Sequence, residues 1–340
     1  MPEMMDAVFF DGPGKLAIRQ IEAPVPGPGD VIVDVQASGI CGSDVHQLEG
    51  RWPQPPFVLG HEIAGAVSMV GEGISEALLG TAVCVEPFLY CGKCRFCRAG
   101  RYLLCPQMGF LTLTEHGGFA AKVRTPAYSV YALPGNVSME VGALAEPLAV
   151  AVHGARLASV SSADDVLVIG AGTIGLMAVA VARHFGARRV RVTARHSHQA
   201  EAARMLGADE VLGSGGPFDG DDAPDVVIET VGSAASTFQT AINAAGKLGR
   251  VVLIGGNTGT MDGVDLKPIV DKELTLYGSG AYGQIGLRAD FELARDILRA
   301  RPEVFERLIT HRFPLAQIEA AFDAMLHKKD SGAIKVMIVS

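Results

Sequence analysis

Side chains with four different chemistries lie close together near the start of the chain, in the stretch Gly39–His46, which we interpret as a turn-rich loop. They are the thiol of Cys41, the hydroxyl of Ser43, the carboxyl of Asp44 and the imidazole of His46. Cysteine binds metals as a thiolate, and a catalytic zinc usually takes three protein ligands and keeps one position open. Cys41 therefore predicts a metal site whose remaining ligands come from other parts of the chain.

Two other stretches offer candidates for those ligands. His61 and Glu62 are adjacent, and an imidazole beside a carboxylate is a common zinc-binding pair. Glu146 is the only charged residue in the apolar run 141–152, and an isolated buried carboxylate is costly unless it is paired or binds a metal. Taken singly, each has an ordinary alternative, because a lone cysteine usually packs in a core and a glutamate near a proline often caps a helix. The four groups together favour one metal site.

Four of the six cysteines fall within fifteen residues, with the spacing C-x2-C-x2-C-x7-C. They are Cys91, Cys94, Cys97 and Cys105. Four thiolates on a short loop match a closed tetrahedral zinc site, which folds the loop but offers no open position for chemistry. A zinc finger for nucleic acid is the alternative, but the acidic charge balance and the lack of a basic helix count against it. We therefore predict a structural zinc, and we assign Cys84 to the core.

The composition limits the possible partners. The chain has 340 residues, of which 49% are apolar, and a formal net charge of -8. This charge argues against nucleic acids and anionic membranes as partners, because both bind basic patches. The N-terminus lacks the basic and apolar regions of a secretory signal, and the longest uncharged run, 166–182, is shorter than the ~20 residues that span a bilayer. We expect a soluble cytoplasmic protein with no nucleic-acid or membrane partner.

The elements around these groups change character along the chain. Up to about residue 85 the sequence indicates short strands separated by Gly and Pro, and a strand at 63–70 would hold His61 at its edge. From 166 to 169 a short apolar strand is followed by a Gly-x-Gly-x-x-Gly turn and an apolar helix. Between a strand and a helix, such a turn lets the backbone approach a pyrophosphate, with the helix N-terminus facing the phosphates. The predicted cofactor contacts are Gly170, Gly172, Thr173, Ile174 and Gly175.

The second strand of this region, 190–193, ends where a carboxylate would bind the ribose 2′-hydroxyl of NAD. The chain has Ala194 at that position, and Arg195 follows it. An arginine in the absence of the carboxylate suits the 2′-phosphate of NADP, so we predict that NADP(H) is preferred over NAD(H). The alternative is that Arg195 only lies on a solvated surface.

Strands and helices continue to alternate to about residue 285, with strands expected at 226–229, 250–254 and 273–277. This alternation predicts an α/β fold with a doubly wound parallel sheet. We expect the helices 291–301 and 318–327 and the strand 333–339 to return to the first domain. The predicted domains are therefore 1–150 with 286–340, and 151–285.

Taken in order, these motifs resemble the zinc-dependent medium-chain alcohol dehydrogenases over nearly the whole chain. The set is Cys41-Gly-Ser-Asp-x-His46, Gly60-His61-Glu62, the four-cysteine loop, Glu146-Pro147 and the glycine-rich turn. The sorbitol and threonine dehydrogenase branch is the most similar. The resemblance implies a GroES-like β-rich catalytic domain plus a Rossmann domain, with two zinc ions per chain. It also implies hydride transfer between a secondary alcohol, polyol or sugar alcohol, or its ketone, and NADP(H) or NAD(H).

The family also implies roles for the metal-site residues. Cys41 and His61 would bind the catalytic zinc, and Glu62 and Glu146 would share the remaining role, one directly and the other through water. Asp44 would hold the far nitrogen of His61, which orients the ligand and tunes its basicity.

Further implied roles concern the proton and the cofactor. The alcohol proton would leave through Ser43 and the cofactor ribose to His46, which can exchange with solvent because an unperturbed histidine has a pKa near 6.5. Lys335 falls where the family often has a basic residue close to the cofactor phosphates. Homotetramers are common in this branch, and the strand 274–277 could pair across a dimer, so we expect a homo-oligomer.

The substrate is the most open question. Sorbitol-specific members tend to carry an arginine before an aromatic residue near the nicotinamide, whereas here Ala281 precedes Tyr282. Trp52, Phe110, Phe119 and Tyr282 are candidates to line the substrate pocket, with core packing as the alternative for each. An enzyme acting on L-threonine, a metal-free medium-chain reductase and a non-catalytic nucleotide-binding protein are the competing interpretations.

Overall fold

The computed structural model describes residues 2–51, 58–213, 222–232, 235–254 and 263–340. The chain divides into two compact units. The first comprises Met1–Glu146 together with Leu298–Ser340, and the second comprises Pro147–Ile297. Among the described residues, no helix has the length and apolar character needed to cross a membrane.

The secondary structure alternates between short strands and short helices. The strands are β1 (Met4–Phe10), β2 (Leu16–Glu22), β3 (Asp30–Gly39), β4 (Glu62–Val70), β5 (Ala82–Val85), β6 (Phe88–Leu89), β7 (Gly109–Phe110), β8 (Lys122–Pro126), β9 (Val130–Ala132), β10 (Asp165–Ile169), β11 (Arg189–Thr193), β12 (Glu210–Leu212), β13 (Val226–Glu229), β14 (Arg250–Leu253), β15 (Thr275–Gly278), β16 (Gln284–Ile285), β17 (Arg288–Ala289), β18 (Ile309–Pro314) and β19 (Lys335–Val339). The α-helices are α1 (Gly42–Leu48), α2 (Arg95–Arg98), α3 (Leu111–Thr114), α4 (Met139–Ala143), α5 (Ala145–Leu157), α6 (Thr173–His184), α7 (Ser197–Leu206), α8 (Ala235–Ala244), α9 (Lys267–Asp271), α10 (Asp290–Ala300), α11 (Pro302–Glu306), α12 (Ile318–Leu326) and α13 (Lys328–Ser331). Single 3₁₀ turns lie at Glu76–Leu78, Tyr102–Leu104, Ala127–Ser129 and Leu315–Gln317.

The first unit is built on a sheet whose strand order is β18-β19-β3-β4-β5-β9, with β8 also paired to β3. Because β3 and β4 are antiparallel, the end of β3 lies beside the start of β4, and Gly39 pairs with Glu62. The C-terminal strand β19 pairs antiparallel with β3 and brings Met337 opposite Gly39. Three distant parts of the sequence therefore meet at one end of this sheet.

The second unit contains a fully parallel sheet in the order β12-β11-β10-β13-β14-β15. Its central strands are apolar at nearly every position, as expected for strands covered on both faces, and Val166, Leu167 and Val168 are fully buried. The strand order reverses between β10 and β13, and dinucleotides bind beyond the carboxyl ends of the strands at such a point. The predicted α/β class with a doubly wound sheet is confirmed.

Two local predictions were wrong. The stretch 42–46, predicted as part of a loop, belongs to helix α1, and Cys41 is the N-cap residue of that helix. The carboxylate of Asp44 accepts the backbone N–H of Cys41 at 2.9 Å, and this cap compensates for the weak helix propensity of a Gly-Ser-Asp start. The strand predicted from Glu273 begins at Thr275, because Glu273 has a left-handed φ of 51° and belongs to the turn before it.

Candidate active site

The structure brings three of the predicted metal ligands together. Cys41, His61 and Glu62 each offer a ligand atom, and these atoms all lie within 4.8 Å of one another. The site forms because Cys41 follows the end of β3 while His61 and Glu62 stand at the start of β4. A Cβ at Gly39 would lie 1.9 Å from a carboxylate oxygen of Glu62, so only glycine leaves room for that side chain.

Negative charge dominates this cluster. His61 is buried, with 6% exposure, and burial alone would lower its pKa. The charges of Asp44, Cys41 and Glu146 nevertheless raise the pKa of His61 well above its usual value. Charges that attract a proton this strongly also attract a divalent cation, and thiolate, imidazole and carboxylate are the donors that zinc prefers. The residues present therefore fit a zinc ion.

Asp44 connects two of the ligands. One carboxylate oxygen accepts the N–H of Cys41, and the other lies 3.6 Å from Nδ1 of His61, an ion-pair distance rather than a hydrogen bond. Burial raises the pKa of Asp44, and the charge of His61 opposes that rise. Asp44 therefore lies beside the imidazole of His61, and its expected role of orienting that ring as a ligand stays a prediction.

Lys335 also belongs to this cluster. Its ammonium donates to both carboxylate oxygens of Glu62 at 2.6 Å and to the carbonyl of Ile40 at 3.0 Å. An ammonium group has three donors, and all three are used here by a side chain that is 1% exposed. The phosphate-binding role expected for Lys335 does not fit this geometry.

The two glutamates differ in their surroundings. Glu62 contributes an oxygen to the ligand cluster but is also bound to Lys335. Glu146 lies in the first turn of α5, is 6% exposed and acts on the charge of His61. Among the described residues, it is not one of the three whose ligand atoms cluster within 4.8 Å.

The two relay candidates lie on helix α1. Ser43 and His46 are three residues apart, so they share one side of the helix. Nδ1 of His46 lies 3.8 Å from a carboxylate oxygen of Glu49. Burial and the positive charge of Arg51 lower the pKa of His46 below 6.5, against the opposing effect of Glu49. The lowered pKa favours the neutral ring at pH 7, which can accept a proton.

One of the aromatic residues proposed for the substrate pocket lies beside the cluster. The ring of Phe110 lies 5.2 Å from the His61 ring, which fits a place beside the metal. Phe119 and Tyr282 are completely buried, and Phe119 packs edge-on against Phe322 at 5.9 Å. Trp52 lies outside the described residues.

The four-cysteine loop forms a second, separate cluster of ligand atoms. The sulfur atoms of Cys91, Cys94, Cys97 and Cys105 lie within 4.8 Å of one another, and the thiols are free. Cys94 caps helix α2 and accepts the backbone N–H of Cys97 at 3.4 Å, as metal-binding thiolates do. Backbone N–H groups of Lys93 and Cys94 lower the pKa of Cys91 to about 6. The set matches a tetrahedral zinc site.

The glycine-rich turn has the geometry that close approach of a pyrophosphate requires. Gly170 has a left-handed φ of 98°, and a Cβ at Gly175 would lie 1.8 Å from the carbonyl oxygen of Gly170. Gly172 is the N-cap of α6, and no atom of the described residues lies within 4 Å of a Cβ built on it. Thr173 and Ile174 follow as the first residues of that helix. The open space at the helix N-terminus fits a phosphate.

The predicted specificity residues lie at the carboxyl end of β11. Ala194 follows the strand directly, and Arg195 is exposed in the short connection to α7. A side chain at this place in such a sheet faces the adenosine ribose of a dinucleotide.

Two histidines have partners that sequence reasoning missed. Nδ1 of His116 accepts the backbone N–H of Val58 at 3.1 Å, in a segment that leads to His61. His153 contacts the buried carboxylate of Asp290 at 2.6 Å. These partners are 58 and 137 residues away in sequence, so no local pattern signals either pair.

Comparison with known proteins agrees with this geometry. Residues 27–135 match the family model of the alcohol dehydrogenase GroES-like domain, and residues 173–299 match that of the zinc-binding dehydrogenases. The chain is 36% identical to sorbitol dehydrogenase from Arabidopsis thaliana, over 97% of this chain and 94% of the relative. It is 34% identical to L-idonate 5-dehydrogenase from Vitis vinifera, over 97% of this chain and 93% of the relative.

Solved structures show the same likeness along the whole chain. A protein from Escherichia coli named short chain alcohol dehydrogenase, complexed with NADH, has a TM-score of 0.90 at 29% identity, covering 99% of both chains. A protein from Sinorhizobium meliloti bound to NADP has a TM-score of 0.88 at 30% identity, covering 99% of this chain and 100% of the other.

Proposed function

The chain belongs to the zinc-dependent medium-chain alcohol dehydrogenase family, in its sorbitol dehydrogenase-like branch, and from this membership we propose its reaction and the residues that perform it. It is an NAD(P)-dependent oxidoreductase that transfers hydride between a polyol or sugar alcohol, or its ketone, and the nicotinamide cofactor. The observation that carries this proposal is the cluster of the half-buried Cys41 with the buried His61 and Glu62, with Asp44 beside the imidazole.

Cys41 and His61 would hold the catalytic zinc, with Glu62 or Glu146 completing the set. When bound, zinc supplies a Lewis acid that makes the hydroxyl group of an alcohol more acidic. The four cysteines of the loop 91–105 would hold a second, structural zinc. We assign the zinc site to a catalytic domain formed by the first unit, and the dinucleotide to the second unit.

The chain's own residues move the proton. The hydroxyl of Ser43 accepts the proton from the substrate side as it gives up its own, and His46 takes up the released proton and passes it to solvent. His46 suits this task because its lowered pKa favours the neutral ring at pH 7, while about a third of its side chain remains exposed to water.

NADP(H) is the preferred cofactor in this proposal. Ala194 stands where a carboxylate would select NAD, and the exposed guanidinium of Arg195 follows it at the carboxyl end of β11. A 2′-phosphate would gain a charge-assisted hydrogen bond from Arg195, whereas a free hydroxyl would gain little.

We also propose a homo-oligomer, either a dimer or a tetramer, that works in the cytoplasm. In the described part of the chain, β15 is an edge strand paired only with β14. Leu276 on this strand is 38% exposed, and Val270 and Leu266 just before it are 75% and 60% exposed. An exposed apolar edge of this kind is a ready interface for a second copy. The cytoplasm keeps thiolate ligands reduced.

Steady-state oxidation of a panel of substrates tests this proposal. The panel contains polyols, sugar acids, simple secondary alcohols and L-threonine, each with NADP⁺ and with NAD⁺. Turnover of polyols or sugar derivatives, faster with NADP⁺, is the expected result. Turnover of L-threonine alone would reassign the substrate, and no turnover with any alcohol would overturn the proposed reaction.

A further inference from the structure

A buried charge cluster lies in the second unit. Its centre is Asp290, the first residue of α10, whose side chain is completely buried. Nδ1 of His153 lies 2.6 Å from one of its carboxylate oxygens, and Arg156 forms an ion pair with the other. Both partners come from helix α5. A buried carboxylate is costly without such partners, so its presence calls for a role.

The cluster closes the base of the hairpin formed by β16 and β17. Asp290 accepts the N–H of Gly283 through its carboxylate and donates its own N–H to the carbonyl of Gly283, both at 2.8 Å. Arg156 adds a hydrogen bond of 3.0 Å to the carbonyl of Arg288 and another to the carbonyl of Ile285. Side chains of α5 are therefore linked to both strands of the hairpin by hydrogen bonds and to Asp290 by an ion pair.

The fastened residue Gly283 ends a strained segment, 279–283, that leaves the carboxyl end of β15. Ala281 has a left-handed φ of 46°, which is unfavourable for a residue with a Cβ. Tyr282 is completely buried and its ring lies 5.7 Å from that of Phe291. A strained backbone persists only where its surroundings over-determine it. The Asp290 cluster and the Tyr282 packing supply that constraint from two sides.

The position of the segment in the sheet indicates its task. In a sheet of this order, the dinucleotide lies across the carboxyl ends of the strands. One half of it lies on each side of the point where the strand order reverses, between β10 and β13. The glycine-rich turn and Arg195 lie on the side of β10, β11 and β12, which is the adenosine side. The segment 279–283 follows β15 on the opposite side, where the nicotinamide half belongs.

We propose that His153, Asp290 and Arg156 act as positioning residues that fix the segment 279–283 against the nicotinamide half of the cofactor. This inference rests on the proposed function, because it presupposes a bound dinucleotide. The three side chains do not touch reacting atoms; they act through the backbone of Gly283 and the hairpin. Their loss should therefore affect one half of the cofactor and leave the other half unchanged.

Binding of a whole cofactor and of a fragment tests the proposal. Asp290→Asn is compared with wild type and with Asp296→Asn, which removes a surface carboxylate of the same helix that pairs with Arg288. For each protein, the dissociation constants of NADPH and of 2′,5′-ADP are measured by calorimetry. We expect Asp290→Asn to raise the dissociation constant of NADPH by about tenfold, as for the loss of a charge-assisted hydrogen-bond network. The dissociation constant of 2′,5′-ADP should not change. Asp296→Asn should change neither constant.

A second variant distinguishes a selective loss of cofactor binding from a general folding defect. His153→Asn keeps the carboxylate and its pair with Arg156, so it should fold and show the same selective loss to a smaller degree. The positioning role would be overturned if both variants bound NADPH and 2′,5′-ADP equally more weakly than wild type. It would also be overturned if neither variant bound NADPH more weakly than wild type. If wild-type protein bound neither NADPH nor NADH, the proposed function itself would fail, which is a distinct outcome.

Discussion

The ammonium of Lys335 and the carboxylate of Glu62 form a buried ion pair at the candidate metal site, with both oxygens of Glu62 at 2.6 Å from the nitrogen. Each residue is 1% exposed. The pair holds a candidate ligand in place before any metal binds, and it joins the C-terminal strand β19 to the start of β4. It also means that Glu62 can bind a metal only while sharing its charge with Lys335.

Breaking this pair should destabilise the fold. Lys335→Met leaves the carboxylate of Glu62 buried without its cation, which costs about 3–5 kcal/mol in comparable pairs. Urea unfolding of the variant and of wild type measures the difference. Lys329→Met, at an exposed lysine of α13, is the control and should unfold like wild type. Equal unfolding midpoints for Lys335→Met and wild type would show that the pair contributes nothing to stability.

Two alanine substitutions separate folding from cofactor binding in the glycine-rich turn. Gly175→Ala brings a methyl group 1.8 Å from the carbonyl oxygen of Gly170, so it should destabilise the protein by about 1–3 kcal/mol or more. Gly172→Ala meets no atom of the described residues within 4 Å and should fold normally. It fills space assigned to the pyrophosphate, so it should weaken NADPH binding by about tenfold or more, equivalent to ~1.4 kcal/mol. Melting temperatures and NADPH titrations measure both effects, and normal NADPH affinity in Gly172→Ala would refute the assignment.

The pH dependence of alcohol oxidation should report His46. The neutral ring is the proton acceptor, and its pKa is lowered below the usual 6.5, so the midpoint of the fall in activity towards acidic pH should lie below 6.5. Arg51→Ala removes a positive charge that lowers this pKa, and the acidic limb should move to higher pH. Glu49→Gln removes a negative charge that raises the pKa of His46, so the fall in activity towards acidic pH should move to lower pH. Solvent screens these charges, so each shift should be smaller than about one pH unit. Profiles of kcat/KM that move in the same direction for both variants would exclude His46 as the titrating group.

Arg195 should set the cofactor preference. Arg195→Ala removes the proposed partner of the 2′-phosphate and should raise the KM for NADP⁺ by about tenfold to a hundredfold, the worth of a hydrogen bond to a charged group. The KM for NAD⁺ should stay close to that of wild type. Arg204→Ala, at an exposed position in the last turn of α7, is the matched control. A parallel rise for both cofactors would count against a role in discrimination.

Local sequence patterns predicted much of the fold because they report local physics. The strand 226–229 was predicted with the bounds of β13, since an apolar run between turn residues is enough to define it. The glycine-rich turn was found for the same reason: its φ angles and close approaches require glycine at fixed spacing. Helix α1 was missed because its stability depends on a cap formed by Asp44 on Cys41 rather than on helix propensity.

Long-range pairs explain most of what could not be predicted. Lys335 meets Glu62 across 273 residues, and His153 meets Asp290 across 137, because strand pairing and helix packing bring them together. A family pattern suggested phosphate binding for Lys335, but its surroundings in this chain use all three of its donors. The ligand cluster was predictable because its members carry chemistry that is rarely left unpaired in apolar sequence.

Turnover as a function of bound zinc tests the central claim most directly. The protein is depleted with a mild chelator until zinc remains only in the four-cysteine loop, and zinc is then restored stepwise while metal content and polyol oxidation are followed on the same samples. We expect no turnover with the loop zinc alone, a rise in turnover in proportion to the second zinc, and no recovery in Cys41→Ser. Full turnover with the Cys41 site empty, or in Cys41→Ser, would contradict it.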